Sequence, residues 1–341
     1  MVTKVDASVV GDQVLGRKRL NINGGMDVAQ RGTQTGLTSA YGGPDRYKIS
    51  TSSLGFYSLA QSTDTPDGFA NSLLLSCTTA DASPSANDYA VLSYSFEGYD
   101  LQTLKFGTSD AEQVTVSFWV KTNKTGTYNL ELYAPDNSSA PSANKQYTVS
   151  SANTWEKKII TFPCGSSATV PDDSTAGIIL QFWLAGGSSF TGGSASDGNF
   201  HATTANRAAG NVNFADSTSN VIYITGVQVE VGDTATPFEY RSYGEELTLC
   251  QRYYEKFYYG ASAVNIGNHA YGNWNTIQPK RAQPTMSISG NMTYYASNGT
   301  SGTGGTAQTT AHREGSCAVR TYLFSTTLVY FEGDMIADAE L

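Results

Sequence analysis

The sequence contains little charge. Only 15% of its 341 residues are Asp, Glu, Lys or Arg, and the formal net charge is −9. A nucleic-acid partner requires a concentrated basic surface, and the only basic cluster is the short run Arg17, Lys18 and Arg19. Such a run is more typical of a solvated or subunit-contacting N-terminal segment. The composition therefore predicts no nucleic-acid partner.

Cysteine is also scarce. Cys77, Cys164, Cys250 and Cys317 are dispersed without a C-x-x-C pair, and the three histidines are scattered too. A tetrahedral zinc site needs such ligands at close spacing, so we expect buried free thiols, typical of assembly in a reducing cytoplasm. The sequence predicts no metal site and no cofactor, although it leaves a structural calcium open.

Long apolar runs and catalytic motifs are missing as well. The opening segment lacks the apolar core of a signal peptide, and no run approaches the roughly 20 residues that span a bilayer, so we expect no membrane insertion. No P-loop, G-x-S-x-G elbow or H-E-x-x-H motif occurs. Neighbouring acids such as Glu245 and Glu246 cannot face each other across a cleft, as a glycosidase requires. We therefore predict no catalytic residues and no enzymatic activity.

The abundant features are short alternating apolar segments separated by Gly, Pro, Asp and Asn. Residues 221–231 and 176–187 are the clearest, and the second is apolar on both faces, which predicts a central strand. Residues 113–135 alternate on both sides of the loop TNKTG and predict a hairpin, and LKFG at 104–107 predicts a short strand. About eight to ten strands indicate an all-β, two-sheet jelly-roll sandwich over residues 46–241.

The periodicity changes after residue 241. Ser242 followed by Glu245 forms a capping box, and apolar residues then recur at helical spacing, which predicts a linking amphipathic helix over 242–259. Residues 260–341 predict a smaller C-terminal β domain, and residues 1–45 an arm that must pack on something else. The Gly- and Ser-rich stretch 186–220 is a long excursion between strands.

The run ITGVQVEVGDTATPFEYRSYGEELTLCQRYYEKF closely resembles a segment of bacteriophage tail-fibre and related virion appendage proteins, where it closes a jelly-roll domain similar to carbohydrate-binding modules. LNINGGMDVAQRGT and ANRAAGNVNFADSTSN extend the resemblance over most of residues 15–257. It implies a non-enzymatic virion structural protein, assembled in the host cytoplasm as a homotrimer. The arm would attach to other virion proteins, and the C-terminal domain would form the distal tip, binding a host surface glycan as receptor during adsorption.

Aromatic residues are the candidate ligand contacts, because flat rings stack on sugars while neighbouring amides and carboxylates bond the hydroxyls. In the C-terminal domain the candidates lie in predicted loops and are His269, Tyr271, Trp274, Tyr294 and Tyr295. Aromatic residues equally fill trimer axes and interfaces. In the sandwich, Trp119, Tyr133 and Trp183 alternate with the more apolar residues of their strands and could line a glycan-binding face. We favour the alternative, that both faces of these strands are covered and the three residues belong to the core.

The densest aromatic cluster follows the capping box. It comprises Tyr253, Tyr254, Phe257 and Tyr258, and we predict that it packs against a subunit or domain. Two other functions compete with receptor binding. One is a capsid-decorating or tail-connecting structural protein that binds nothing, and the other is a polysaccharide depolymerase, which would need opposed carboxylates in a groove.

Overall fold

The computed structural model describes residues 18–137, 141–163, 165–263, 269–296, 301–303, 307–313, 316–322 and 329–341. The chain divides into two compact units, residues 1–241 and 242–341. Both units are built mainly from antiparallel strands. No helix in these ranges is long and apolar enough to cross a membrane.

The first unit is a jelly-roll β-sandwich, as the sequence predicts. In chain order, strands β1 to β12 are Gln34–Leu37, Ser39–Tyr41, Tyr47–Ser52, Phe56–Ser62, Ser72–Thr79, Tyr89–Glu97, Val114–Thr122, Gly126–Tyr133, Ser142–Val149, Glu156–Phe162, Ala176–Gly186 and Val221–Val231. They form sheet A, in the order β1-β4-β5-β12-β7-β10, and sheet B, in the order β2-β3-β6-β11-β8-β9. Strands β11 and β12 are therefore central, and for β11 this confirms the prediction from its two apolar faces.

The hydrophobic core lies between the two sheets. Alternate residues of β7 point inward, so that Val116, Phe118 and Val120 are fully buried. Across the core, Leu180 and Phe182 of β11 are also buried. The rings of Phe118 and Phe182 meet edge to face, with centroids 5.1 Å apart. This contact joins the centres of the two sheets.

Residues 113–135 do not form the predicted hairpin. Strand β7 pairs with β10 and β12 in sheet A, whereas β8 pairs with β9 and β11 in sheet B. The connection at 123–125 thus crosses from one sheet to the other. Alternation alone fits both arrangements, because each strand buries one apolar face in the same core. The segment 104–107 is not a strand either, since it begins with the last residue of the 3-10 helix Gly98–Leu104 and continues into a turn.

The described part of the predicted arm, residues 18–45, belongs to the sandwich and contains the edge strands β1 and β2. The Asn21 side chain makes two hydrogen bonds to the backbone of β12, as a neighbouring strand would. It donates to the Val227 carbonyl at 2.9 Å and accepts the Val229 N–H at 2.9 Å. Met26 is fully buried. A Cβ at Gly24 would lie 2.0 Å from the Val227 oxygen, so only glycine allows this close approach.

Arg19, predicted to be solvated or at a subunit contact, is buried. Its guanidinium lies 4.9 Å from the centre of the Phe238 ring. Burial, together with the charge of Arg241, lowers the pKa of Arg19 to about 10. The basic residue therefore anchors the segment to the sandwich, while residues 1–17 lie outside the described part of the chain.

Residues 187–220, between β11 and β12, form an ordered excursion whose first part lies over the outer face of sheet B, whereas Phe214 and Ala215 near its end are buried in the core. It begins with the short helix α1, Ser188–Thr191. The Asn211 side chain accepts the backbone N–H of Asn129 in β8 at 2.8 Å, and Asn144 in β9 donates to the Asn206 carbonyl at 2.8 Å. These bonds hold the excursion against two neighbouring strands of the sheet.

The second unit begins with helix α2, Tyr243–Gln251, and Ser242 is its N-cap. The Ser242 hydroxyl accepts the backbone N–H of Glu245 at 3.3 Å, which confirms the predicted helix start. The helix ends eight residues before the predicted end at 259, because strand β13 starts at Tyr254. Aromatic residues favour strands, and β13 pairs along its whole length with a distant strand, so long-range pairing overrides the helical spacing.

The remaining strands of this unit form two small sheets. Strands β13 to β19 are Tyr254–Ala263, His269–Asn275, Thr285–Ala296, Ser301–Thr303, Ala307–Arg313, Ser316–Tyr322 and Val329–Asp338. Sheet C has the order β13-β19-β15-β16, and sheet D the order β14-β18-β17. A buried ion pair between Lys280 and Glu255 lies next to sheet C, and Lys280 also donates to the Gln251 carbonyl. Burial lowers the pKa of Lys280.

Candidate functional site

The predicted ligand contacts of the C-terminal domain lie on strands and not in loops, because β14 pairs with β18 and β15 pairs with β19, the latter with a register shift between Ser289 and Thr293. The side chains outside the described part of the structure are those of His269, Tyr271, Trp274 and Tyr294. Tyr295 on β15 is 45% exposed. Of this predicted set, only Tyr295 has a described side chain that can be placed on a surface.

The predicted interface cluster divides by exposure. Tyr253 and Tyr254 are buried, and Phe257 is half-buried. Tyr258, by contrast, is 64% exposed. A subunit contact for these residues stays a prediction, and the exposed Tyr258 is the member best placed to touch another molecule.

A small cavity opens on the outer face of sheet B. Its floor is formed by side chains that alternate outward on three adjacent strands, and its wall by the excursion 187–220. The volume is about 170 Å³, and the lining residues are Tyr89, Val91, Tyr133, Gln181, Trp183, Phe190 and Arg207. The floor arises from strand pairing, because the partner of Tyr133 on β11 is Ile179, two residues before Gln181 on the same face.

A buried carboxylate organises the polar side of the cavity. Glu131 on β8 is fully buried and accepts the Trp183 indole N–H at 2.8 Å. It also accepts two bonds from Arg207, from Nε at 2.7 Å and from Nη2 at 3.0 Å. Burial lowers the pKa of Arg207, but the Glu131 carboxylate outweighs this effect and the pKa is raised overall. The network fixes both the indole and the guanidinium in position.

The Arg207 guanidinium also forms part of the aromatic wall. It lies 4.6 Å from the centre of the Tyr133 ring and 5.4 Å from that of Trp183. Because its charge is paired with Glu131, it provides a flat, neutralised surface and not an anion site. The cavity should therefore prefer uncharged ligands.

Aromatic rings cover two sides of the cavity. The Phe190 ring lies 5.6 Å from Tyr89 and 5.3 Å from Trp183, measured between centroids. Tyr89, Tyr133 and Phe190 are all partly exposed, whereas Trp183 is almost fully buried. The three partly exposed rings can thus touch a ligand directly, and Trp183 supports them from below.

Three polar groups in the cavity remain available for a ligand. Within the described ranges, no protein atom bonds the hydroxyls of Tyr89 or Tyr133, and none accepts from the Gln181 amide nitrogen. The Gln181 carbonyl oxygen is already held by Arg207 at 3.2 Å, which fixes the orientation of the amide. Two hydroxyls and one amide donor among aromatic rings match the hydrogen-bonding groups of a sugar.

The size and chemistry of the cavity limit what it can do. Pockets for drug-sized ligands have roughly 300–1,000 Å³, so about 170 Å³ fits one ring or a chain end. None of the residues that line it is an acid, and hydrolysis of a glycosidic bond needs two. In the part of the chain that the structure describes, no cluster of three or more His, Cys, Asp or Glu residues could hold a metal.

Sequence reasoning found part of this site. Tyr133 and Trp183 lie on it together, as their polar phase suggested, but Trp119 is in sheet A and does not contribute. The preferred core position is correct for Trp183. Phe190 and Arg207 were missed, although they are bulky residues among the small ones of the excursion, which was the signal available in the sequence.

No protein-family model matches the sequence, and no curated protein matches it. Among solved structures, the family 11 carbohydrate-binding module of the Clostridium thermocellum cellulase Lic26A-Cel5E is 10% identical, with a TM-score of 0.30 over 60% of this chain and 98% of that one. A family 22 module of Xyn10B from the same organism is 15% identical, with a TM-score of 0.32 over 56% and 89%.

A phage structure is also among the similar ones. The enzymatically active domain of tailspike protein 4 from bacteriophage CBA120 is 14% identical, with a TM-score of 0.30 over 55% of this chain and 19% of that chain. The jelly-roll sandwich follows from the strand pairings themselves, and the cavity on sheet B is the site that its side chains define.

Proposed function

We propose that this chain is a non-enzymatic virion appendage protein of the tail-fibre type that binds an uncharged saccharide in the sheet B cavity. The observation that carries the saccharide part is the cavity itself. Three partly exposed rings surround it, and two hydroxyls and one amide nitrogen without protein partners in the described structure line it. Rings supply apolar faces for a pyranose, and the polar groups can bond its hydroxyls.

The virion part rests on the sequence. The long run over residues 224–257 and the two supporting segments resemble tail-fibre proteins, in which such chains form trimers. A trimer would present three copies of the cavity, and multivalency commonly raises weak binding by ~10²–10⁴. A shallow one-ring site would then suffice for adsorption to a polysaccharide-coated cell.

Direct titration tests the saccharide part. The full-length protein is titrated calorimetrically with hexasaccharides of xylan, mixed-linkage β-glucan, mannan and galactan, and with oligogalacturonate as an acidic member. We expect at least one neutral member to bind and the acidic one not to bind. Tyr133→Ala should weaken binding roughly tenfold, because it removes an aromatic wall and a hydroxyl.

Tyr99→Ala is the matched control, because Tyr99 is 55% exposed on the 3-10 helix and does not line the cavity. It should leave the affinity unchanged. Failure of every panel member to bind, or an equal loss in both variants, would overturn the proposal. Shortening of any polysaccharide during incubation would instead favour the depolymerase.

Two measurements test the virion part. Mass spectrometry of purified particles should detect the chain, and sedimentation of the isolated protein should give a trimer. A chain found only in the lysate and not in particles would contradict the virion role. A monomer would remove the multivalency on which adsorption by a weak site depends.

A further inference from the structure

Sheet C exposes one face that carries three tyrosines. Tyr258 on β13, Tyr330 on β19 and Tyr295 on β15 are 64%, 40% and 45% exposed. Their strands are neighbours, in the order β13-β19-β15. Tyr330 is the direct partner of Tyr295, and Tyr258 is the partner of Asp334, four residues after Tyr330. All three rings therefore lie on the same side of the sheet.

A carboxylate lies at the centre of this tyrosine face. Glu332 follows Tyr330 by two residues and is partly exposed. It accepts the Tyr295 hydroxyl at 3.2 Å and is also hydrogen-bonded to the Tyr258 hydroxyl, which raises the pKa of Tyr258 to about 12. A carboxylate offers about four acceptor positions, so two remain for a ligand. Among the described residues, no Lys or Arg pairs with Glu332.

A glycine shapes the middle of the face. Gly260 is the strand partner of Glu332 on β13. A Cβ at this position would lie 2.3 Å from the Tyr330 hydroxyl oxygen, so the ring of Tyr330 lies over the glycine. The absence of a side chain at Gly260 thus makes room for the end of the Tyr330 side chain, which stays 40% exposed. The Tyr295 and Tyr330 rings are inclined by 38°, with centroids 6.1 Å apart, and together form a shallow platform.

We propose that this tyrosine face is a second saccharide-binding site, which stacks an uncharged, extended glycan on Tyr258, Tyr330 and Tyr295 and bonds its hydroxyls through Glu332. The site is separate from the sheet B cavity and belongs to the second unit. Four residues at ~3.3 Å each separate Tyr330 from the partner of Tyr258, about 13 Å along the strand. The platform thus accommodates more than one pyranose ring, in contrast to the one-ring cavity.

The chemistry of the face favours a glycan over another subunit. The cores of protein interfaces are depleted of charge, but here Glu332 lies at the centre and the Lys256–Asp334 ion pair, at 3.1 Å, lies beside it. Burying a carboxylate that no cation neutralises against a protein would be unfavourable. A hydrated ligand with hydroxyl donors meets the same carboxylate favourably. An acidic glycan would be repelled by the same carboxylate, and the ligand proposed here is an uncharged one.

The test uses the full-length Tyr133→Ala protein, in which the sheet B cavity is impaired, and the oligosaccharide panel described above. We expect residual binding of a neutral hexasaccharide, weakened roughly tenfold by Tyr258→Ala or Tyr330→Ala. Gly260→Ala should weaken it as well, because the new methyl group displaces the Tyr330 hydroxyl. That variant keeps all three rings, so it separates ring placement from ring loss. Gly260 requires no left-handed backbone, and the variant should therefore fold.

Tyr243→Ala is the control, since Tyr243 is 60% exposed at the start of α2 and lies outside the tyrosine face. No binding of any neutral member by the Tyr133→Ala protein would overturn the second site, and so would binding unaffected by Tyr258→Ala and Tyr330→Ala. A change of oligomeric state in those variants, measured by sedimentation, would also overturn it in favour of a subunit interface. None of these results decides whether the sheet B cavity binds a saccharide, because that proposal is tested by comparing the wild-type protein with Tyr133→Ala.

Discussion

Arg207→Met is the sharpest test of the network behind the cavity. The substitution roughly keeps the side-chain volume but removes the guanidinium, so that within the described part of the chain the Glu131 side chain keeps only the Trp183 indole as a donor. Breaking a buried ion pair from one side costs about 3–5 kcal/mol. The Arg207 side chain is 19% exposed and Glu131 is not exposed at all. We therefore expect a loss near the lower end, about 3 kcal/mol in the free energy of unfolding.

The cause of this loss can be separated by a second substitution. Glu131→Gln removes the buried charge and keeps an oxygen that can accept the Trp183 N–H. In the Arg207→Met background it should restore most of the lost stability, because replacing both members of a buried pair is often nearly neutral. The double variant should thus be more stable than Arg207→Met alone.

Urea unfolding followed by tryptophan fluorescence measures these differences, since Trp183 is part of the network. Lys105→Met is the control, because it breaks an exposed pair with Glu112 and should leave the midpoint nearly unchanged. A loss below ~1 kcal/mol in Arg207→Met, or a double variant as unstable as the single one, would refute the reasoning.

Three further predictions concern other parts of the chain. Burial lowers the pKa of His201 below 6.5, so the unfolded state binds the proton more readily than the folded state. The free energy of unfolding, measured by urea titration at several pH values, should therefore fall as the pH drops through 6.5, and His201→Gln should reduce this pH dependence. Gly226 has φ +62° and a Cβ there would lie 2.6 Å from the Phe69 ring, so Gly226→Ala should lower the free energy of unfolding by ~1–3 kcal/mol. Ser242→Ala should lower the stability of the second unit by ~1 kcal/mol, and Ser242→Asp should restore it; equal stability of all three proteins would contradict the capping role.

The sequence predicted the fold where local patterns and burial agree. The two apolar faces of β11 identified a central strand, the alternation of β12 identified a strand with one buried face, and the Ser242 capping box identified the start of α2. It failed where long-range pairing decides. The segment from Tyr254 fits helical and strand spacing alike, and only its pairing with β19 selects the strand. The same holds for residues 113–135, whose two strands enter different sheets.

The candidate sites were harder to predict for the same reason. The cavity joins Tyr89, Gln181 and Arg207, which lie on two strands and the excursion and meet only through the sheet B order and the Glu131 network. The tyrosine face joins Tyr258 and Tyr330, which are 72 residues apart in the sequence and on adjacent strands in sheet C. No local sequence pattern shows which of these residues lie next to each other in the structure, whereas the exposure of a single tyrosine could be predicted.

A crystal structure of the full-length protein with the tightest-binding neutral hexasaccharide tests the central claim most directly. We predict one pyranose ring in the sheet B cavity, between Phe190 and Tyr133, with a hydroxyl bonded to the amide nitrogen of Gln181. Electron density for water alone in that cavity, with the saccharide bound only elsewhere, would contradict the account.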